Sequence, residues 1–274
     1  MRVWDKSKPP LGPFTLNKDA QQAQGLVAWY PMGGIGNLWV PDYRGEAHLT
    51  LGTQPTPTVG QSGAPGLAPA SASSQYSEGV ITAASALPLT LAAWLVTTST
   101  GTVGVPICIG TNGGNARIQI QKDQTSRVVG AATVDAAGAG NTIQYTTGLG
   151  SYVDNVEFHA AAVYTSSTSR QAFLNGVGSA VDTTAVTASG MNRIILGGRR
   201  NSTNVGAFWG GQIGEVGVWN FALGAADVAG LADPGSRFEL WYPLRNRKWF
   251  SAGAVGGSPS NAPRYFHRTQ SGQA

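Results

Sequence analysis

Polar and apolar residues alternate through the middle of this chain with a period of two rather than 3.6. The alternation is clearest over residues 117–121, 127–134 and 142–146. Because successive side chains of a strand point to opposite faces, these segments predict strands with one face in a core. Asn-Gly pairs at 112–113 and 175–176 predict hairpin turns.

The end of this region changes pattern. Residues 211–219 alternate small and apolar side chains, and residues 225–231 predict a short helix that Asp233-Pro234-Gly235 would stop. Residues 53–75 are rich in Pro, Ala, Ser and Gly, which predicts a long surface loop. The whole pattern predicts an all-β fold, a two-sheet antiparallel sandwich over residues 24–232. Its core is expected to contain the tryptophans of three predicted strands, Trp29, Trp94 and Trp219.

Seven segments, in this order, resemble the laminin-G-like domains of the concanavalin A-like lectin type. They are GLVAWYPM at 25–32, DYRGEAHLT at 42–50, LTLAAWLV at 89–96, FHAAAVY at 158–164, RQAFLNG at 170–176, IILGG at 194–198 and GQIGEVGVWNFAL at 211–223. The resemblance implies a concanavalin A-like jelly roll. It also implies a repertoire that is mostly binding and only occasionally hydrolysis.

The amino-acid composition gives little evidence of a chemical activity. Charged residues make up 12% of the 274, and the single cysteine, Cys108, lies in an apolar segment that predicts a buried thiol. An intrachain disulfide is therefore impossible, which favours synthesis in a reducing cytosol. The first 24 residues show no apolar signal-peptide core, and no membrane-spanning run is expected.

Charge divides the chain into three parts. Residues 1–24 carry four basic and two acidic side chains, residues 25–232 eight and ten, and residues 233–274 six and two. The net charges are thus +2, −2 and +4, which sum to the +4 of the chain. We interpret residues 1–23 as an extended N-terminal arm, 24–232 as the sandwich, and 233–274 as a basic, aromatic C-terminal arm.

The two arms also resemble lectin-like proteins of tailed bacteriophages and prophages, through PPLG at 9–12 and WYPLRNRKWFS at 241–251. This resemblance implies a virion structural protein that decorates a capsid or tail, is made in the host cytoplasm and is anchored by its termini. Its partners would be other virion proteins and copies of itself; a membrane partner is not expected, and nucleic acid is disfavoured by the acidic middle region. The predicted partner-binding residues are Pro9, Pro10, Trp241, Tyr242, Arg245, Arg247, Trp249, Phe250, Tyr265 and Phe266. The alternative hypothesis is a carbohydrate-binding adhesin that recognises host surface glycans.

Enzymatic activity is not expected. Glycosidases of this fold need two or three carboxylates on one strand face, whereas Glu215 is followed by Val, Gly, Val and Trp. We interpret Glu215 as a strand-edge carboxylate with a structural partner. His159 lies in an Ala-rich strand and is interpreted as a core or edge histidine. No cofactor is expected.

Calcium is the one candidate metal. Laminin-G-like domains often bind it, and Asp42 matches the family's early loop aspartate, with Asp154 or Glu157 as further candidate ligands. The alternative is that Asp42 caps its own turn, as aspartates in turns commonly do.

Overall fold

A computed structural model describes residues 5–244, except 11, 34–38, 46, 53–54, 99–102, 124 and 139–140. Its helices are the 3₁₀ turns Gln21–Ala23 and Ser71–Ser73 and the α-helix α1, Ala225–Ala232. Its strands are β1 Phe14–Leu16, β2 Leu26–Tyr30, β3 Trp39–Val40, β4 Leu49–Leu51, β5 Thr56–Val59, β6 Pro65–Ala68, β7 Ser77–Val80, β8 Leu89–Thr97, β9 Gly104–Gly110, β10 Arg117–Lys122, β11 Val129–Val134, β12 Asn141–Tyr145, β13 Phe158–Ser166, β14 Ser169–Leu174, β15 Val177–Gly178, β16 Arg193–Leu196, β17 Arg199–Asn201, β18 Asn204–Gly206, β19 Gly211–Trp219 and β20 Trp241–Pro243.

Two large antiparallel sheets form a sandwich, as the alternation predicted. The front sheet has the order β12-β11-β10-β9-β16-β7-β4-β3. The back sheet has the order β15-β14-β13-β8-β19-β6-β5, and β2 also pairs with β19. Two small ribbons, β1-β20 and β17-β18, complete the described part of the chain. Some neighbouring strands, such as β9 and β16 or β8 and β19, are distant in sequence, so the faces of the sandwich bring together residues that the chain separates widely.

The main core lies between the sheets and is built by every second residue of each strand. Ile118 and Ile120 of β10 point inward from the front sheet, and Leu91, Ala93 and Leu95 of β8 point inward from the back sheet. All five are almost fully buried. Apolar burial of this kind contributes about 25 cal/mol per Å² of area removed from water, which explains why the inward positions are apolar almost throughout.

A second core covers the outer face of the back sheet. There Trp29 and Trp219 lie beneath Val228 of α1, Phe238 and Trp241. The predictions that Trp29, Trp94 and Trp219 are buried are confirmed, with 0%, 8% and 1% of their surfaces exposed. The outer face of the back sheet is therefore largely apolar, and α1 and the segments 14–16 and 238–241 cover it.

This second core corrects the predicted domain boundaries. Strand β1 of the N-terminal arm pairs with β20 of the C-terminal arm, from Phe14 opposite Pro243 to Leu16 opposite Trp241. Residues up to Leu244 belong to one compact unit. Parts of both arms are therefore packed into the domain, because the outer face of the back sheet exposes large apolar side chains that these segments bury.

Two local predictions have different outcomes. The turn at Asn175 and Gly176 has φ angles of 49° and 81° and connects β14 to β15, as Asn-Gly predicts. By contrast, the predicted loop at 53–75 contains strands β5 and β6, which pair from Thr56 opposite Ala68. Proline is tolerated there because β5 lies at the edge of its sheet, where a missing N–H breaks no ladder.

Candidate functional site

The outer face of the front sheet carries polar side chains where the back sheet carries tryptophans. In β10 the residues that alternate with the inward isoleucines are Arg117, Gln119 and Gln121, and these point away from the main core. Their flanking residues on the same face are small: Cys108 and Ala132 lie on either side of Gln119. A strand that alternates Ile with Arg or Gln thus places three long polar side chains in a line on this face.

These side chains form a continuous hydrogen-bonded chain, here called the polar row. Arg117 donates from Nε to Gln119 Oε1 at 3.2 Å, and Gln119 donates from Nε2 to Gln121 Oε1 at 2.7 Å. Gln121 then donates from Nε2 to the Tyr145 hydroxyl at 2.8 Å. Each amide is held in one orientation by its neighbours, so donors and acceptors occupy fixed positions along the outward side of β10.

Glycine determines how closely Tyr145 approaches the row. Gly130 lies opposite Tyr145 in the β11-β12 pair, and a Cβ added there would lie only 2.8 Å from the tyrosine ring carbons. The ring therefore rests on the backbone of Gly130, beside Gln121. Hydrogen bonding to Gln121 partly offsets the burial that raises the pKa of Tyr145.

The ribbon β17-β18 covers part of this face. It packs Val205 near Cys108 and Ile195, and the amide of Ser202 at its tip donates to the carbonyl of Gly114 at 3.1 Å. Arg200 of the ribbon forms an ion pair with Glu78 of β7. Cys108 is fully buried, as the sequence predicted, and this burial raises the pKa of its thiol to about 11.

An exposed aromatic residue lies at the opposite edge of the same face. Trp39 pairs with Thr50, and Thr50 pairs with Glu78, so the three side chains share the outer side of the front sheet. Trp39 keeps 44% of its surface exposed, and its ring lies perpendicular to that of His48, with the ring centroids 4.8 Å apart. The outer face of the front sheet therefore has an aromatic residue at each edge, Trp39 and Tyr145, with polar and basic side chains between them.

Glu215 lies elsewhere, in the interior of the back sheet. Its strand β19 pairs with β8 on one side and with β2 and β6 on the other, so the predicted edge position is wrong. The predicted structural partner exists: Trp29 donates from Nε1 to Glu215 Oε1 at 2.8 Å. Burial raises the pKa of Glu215 to about 7, against the opposing effects of Trp241, Arg237 and Trp29.

Glu215 shares a small cavity with His159 and Arg237. The cavity measures about 20 Å³, which is room for a single water molecule. Burial, with the Arg237 charge as a second cause, lowers the pKa of His159 to about 3, so the imidazole is neutral near pH 7. Arg237 is bound to the carboxylate of Glu157 through both terminal nitrogens, and its guanidinium lies 4.1 Å from the centre of the Trp94 ring.

The contacts of this cluster differ from those of a glycosidase site. Glu157 is engaged by Arg237, and Glu215 has no second carboxylate among the residues lining the cavity. A glycosidase site needs two carboxyl groups about 5–10 Å apart on either side of a bound sugar. The described lining of this cavity supplies one carboxylate in a space too small for a sugar ring.

Asp42 caps its own turn. Its Oδ1 accepts from the amides of Trp29 at 2.8 Å and Arg44 at 2.9 Å, and its Oδ2 accepts from the amide of Ala47 at 3.0 Å. Asp154 is paired with Arg127. Among the residues that the structure describes, no three His, Cys, Asp or Glu side chains gather as a metal site. The geometry of Asp42 thus matches the capping alternative, and calcium at this position gains no support.

The predicted partner-binding residues differ in burial, and most of them lie outside the described residues. Trp241 is 3% exposed and lies within the second core, so it is not a docking side chain; this corrects its assignment to an arm. Tyr242 is 55% exposed, and Pro9 and Pro10 are half-buried. The other six lie outside the described residues: Arg245, Arg247, Trp249, Phe250, Tyr265 and Phe266.

The residues of the polar row were identified from the sequence as a strand but not as a site. The signal was available, because β10 alternates Ile with Arg and Gln. What the sequence alone lacked was the pairing of β12 with β11, which brings Tyr145 to Gln121.

Comparison with known proteins agrees with this architecture. The chain resembles in fold the Trypanosoma rangeli sialidase, with a TM-score of 0.55 and 11% identity over 76% of this chain and 32% of the sialidase. It thus corresponds to about a third of that enzyme's length. It also resembles domain 4 of AbnA, a GH43 extracellular arabinanase from Geobacillus stearothermophilus solved with arabinotriose. That TM-score is 0.54, with 15% identity over 76% of this chain and 98% of the domain.

The described residues contain no helix that is long and apolar enough to cross a membrane. A search of curated protein sequences finds no match. A family model described as the concanavalin A-like lectin/glucanases superfamily matches residues 71–229, which is more than half of the chain. The chain therefore belongs to the concanavalin A-like lectin/glucanases superfamily.

Proposed function

We propose that this protein is a carbohydrate-binding module whose binding surface is the outer face of the front sheet. The observation that carries the proposal is the polar row, in which Arg117, Gln119, Gln121 and Tyr145 are linked by consecutive hydrogen bonds. This linked polar network differs from the outer face of the back sheet, where apolar side chains lie beneath a helix.

The chemistry of the face suits a sugar. A sugar hydroxyl both donates and accepts a hydrogen bond, and glutamine amides and a tyrosine hydroxyl offer both capacities. Because Gln119 and Gln121 are 1% and 2% exposed, their network fixes the positions of the half-buried groups around them, including the Tyr145 ring. Exposed aromatic rings such as that of Trp39 present an apolar surface on which the C–H face of a sugar can pack.

The comparisons support the lectin-like alternative rather than the virion role. The arabinanase domain that matches over nearly its whole length was solved with arabinotriose. At 15% identity that likeness concerns the fold, so the proposal rests on the face itself. Decoration of a phage capsid or tail, location in a virion and the absence of enzymatic activity stay predictions.

The test is binding of the protein to a panel of neutral and acidic oligosaccharides, measured by isothermal titration calorimetry. Gln121→Leu removes the link between the polar row and Tyr145 and is expected to weaken binding at least tenfold. Gln171→Leu is the matched control, because Gln171 lies on the back sheet and donates to the carbonyl of Ser179 at 2.6 Å. Binding that Gln171→Leu weakens and Gln121→Leu does not would move the site to the back sheet. A panel without any binding would overturn the proposal.

A further inference from the structure

Basic residues concentrate on the outer face of the front sheet. Residues 25–232 contain eight Lys and Arg side chains, and four of them lie on or over this face, although the region is net acidic. The four are Arg117 of β10, Arg193 of β16, and Arg199 and Arg200 of the β17-β18 ribbon. Glu78 pairs with Arg200, which leaves the other three without an ion pair among the described residues.

Strand register places two of these arginines on either side of a glycine. Gly110 of β9 lies opposite Arg117 of β10 on one side and opposite Arg193 of β16 on the other. Directly paired residues point to the same face, and adjacent strands are about 4.8 Å apart. Two long cationic side chains therefore flank a position that has no side chain of its own, and this position with its two flanking arginines is here called the slot.

The loops around this slot are tied together. The amide of Asn192 donates to the carbonyl of Gly110 at 2.9 Å, and the ribbon tip is bonded to Gly114. Arg117 donates from Nη1 to the carbonyl of Asn115 at 3.1 Å. The slot, the start of β10 and the ribbon therefore form one locally fixed structure.

The guanidinium groups here have unmet hydrogen-bonding capacity. The Nε atoms of Arg199 and Arg200 are buried without a hydrogen-bond partner among the described residues. Arg193 is paired through its backbone with the neighbouring strands, and its guanidinium has neither a hydrogen bond nor an ion pair with those residues. Burial lowers the pKa of Arg117, and the nearby Arg199 charge adds to this effect. Cations held close together without an anion mark a place where an anion would be stabilised.

We propose that the slot at Gly110, between Arg117 and Arg193 and beside Arg199, binds the carboxylate of an acidic sugar residue. The inference rests on the proposed function, because the slot adjoins the polar row, whose network positions the half-buried groups that would bind the hydroxyls of the same ligand. A carboxylate accepts paired hydrogen bonds from a guanidinium in a planar, bidentate geometry, which a neutral sugar cannot reproduce.

The test compares ligands that differ only in charge: oligogalacturonate with its methyl ester, and sialyllactose with lactose. We expect at least one acidic member to bind at least tenfold more tightly than its neutral counterpart, and this preference to shrink as sodium chloride rises from 50 to 500 mM. Arg193→Gln is expected to abolish the preference without altering binding of the neutral sugar.

Arg127→Gln is the matched control, since Arg127 lies at the far end of β10 beside Asp154 and carries the same charge. Arg193→Lys keeps the charge but not the bidentate geometry and is expected to give an intermediate preference. Melting curves of all variants establish that each is folded. Neutral sugars binding as tightly as acidic ones would overturn the inference and leave the proposed function standing, whereas binding of neither overturns the proposed function. An acidic preference that survives Arg193→Gln would also overturn the placement above Gly110.

Discussion

The strands of both sheets alternate inward and outward side chains with a period of two, but the outward side chains of the two sheets are of opposite kinds. On the back sheet the outward residues include Trp29, Trp219 and Phe173, and a helix and both terminal segments cover them. On the front sheet the outward residues of β10 are Arg117, Gln119 and Gln121, joined in a hydrogen-bonded row. Identical strand geometry thus supports a structural face and a candidate binding face, and the outward residue types tell them apart.

The comparison predicts that substitutions on the back face act mainly on stability. Trp241→Ala removes an indole that packs edge-on against Trp29, with centroids 5.7 Å apart, and against Phe14 and Phe238. The expected cost is about 3–5 kcal/mol of unfolding free energy, as for other large-to-small core changes. Urea unfolding followed by tryptophan fluorescence or circular dichroism measures it.

The adjacent Tyr242→Ala is the matched control, because Tyr242 is 55% exposed and its loss is expected to cost about 0.5 kcal/mol or less. Equal effects of the two substitutions would show that β20 is not part of the second core.

By the same reasoning, a chain lacking residues 1–18 and 240–274 is expected to lose β1 and β20 and to unfold. The sequence had instead assigned both segments to arms outside the sandwich.

The charge pattern wrongly placed the C-terminal segment outside the sandwich, and the reason is physical. The C-terminal segment alternates aromatic and basic residues, which is equally suitable for docking to a partner and for covering an apolar sheet face. The choice depends on Trp29 and Leu26, more than 200 residues earlier in the chain, whose side chains need a cover. By contrast, the inter-sheet core was predictable, because each strand carries its own inward residues.

A smaller effect is expected from the ionisable groups beneath the second core. Glu215 has a folded-state pKa of about 7 against 4.5 in the unfolded chain, so its contribution is present below pH 4.5 and is lost as the pH rises through 7. His159 has a folded-state pKa of about 3 against 6.5, so its contribution is present above pH 6.5 and is lost as the pH falls toward 3. Between pH 4.5 and 6.5 the two slopes oppose each other.

We therefore expect the stability of the protein to be nearly flat from pH 4.5 to 6.5. Glu215→Gln keeps an acceptor for the Trp29 indole but removes the titration, so its stability should rise with pH across this range, by about 2–3 kcal/mol in total. Melting temperatures at half-unit pH steps measure the change, with Glu239→Gln, outside the cavity, as the control. Parallel profiles for the wild-type protein and Glu215→Gln would contradict the assignment of the titration to Glu215.

The front face should respond least in stability. Tyr145→Phe removes one hydroxyl that accepts from Gln121 and leaves the ring over Gly130 in place. Because the tyrosine is half-buried and water can replace the lost partner, the expected cost is about 1 kcal/mol or less, which is a shift of a few degrees in Tm for a domain of this size. The same substitution should loosen the Gln121 amide and weaken glycan binding several-fold. A Tyr145→Phe variant that loses as much stability as Trp241→Ala would place the polar row among the structural elements of the fold, and the distinction between a covered back face and a binding front face would not hold.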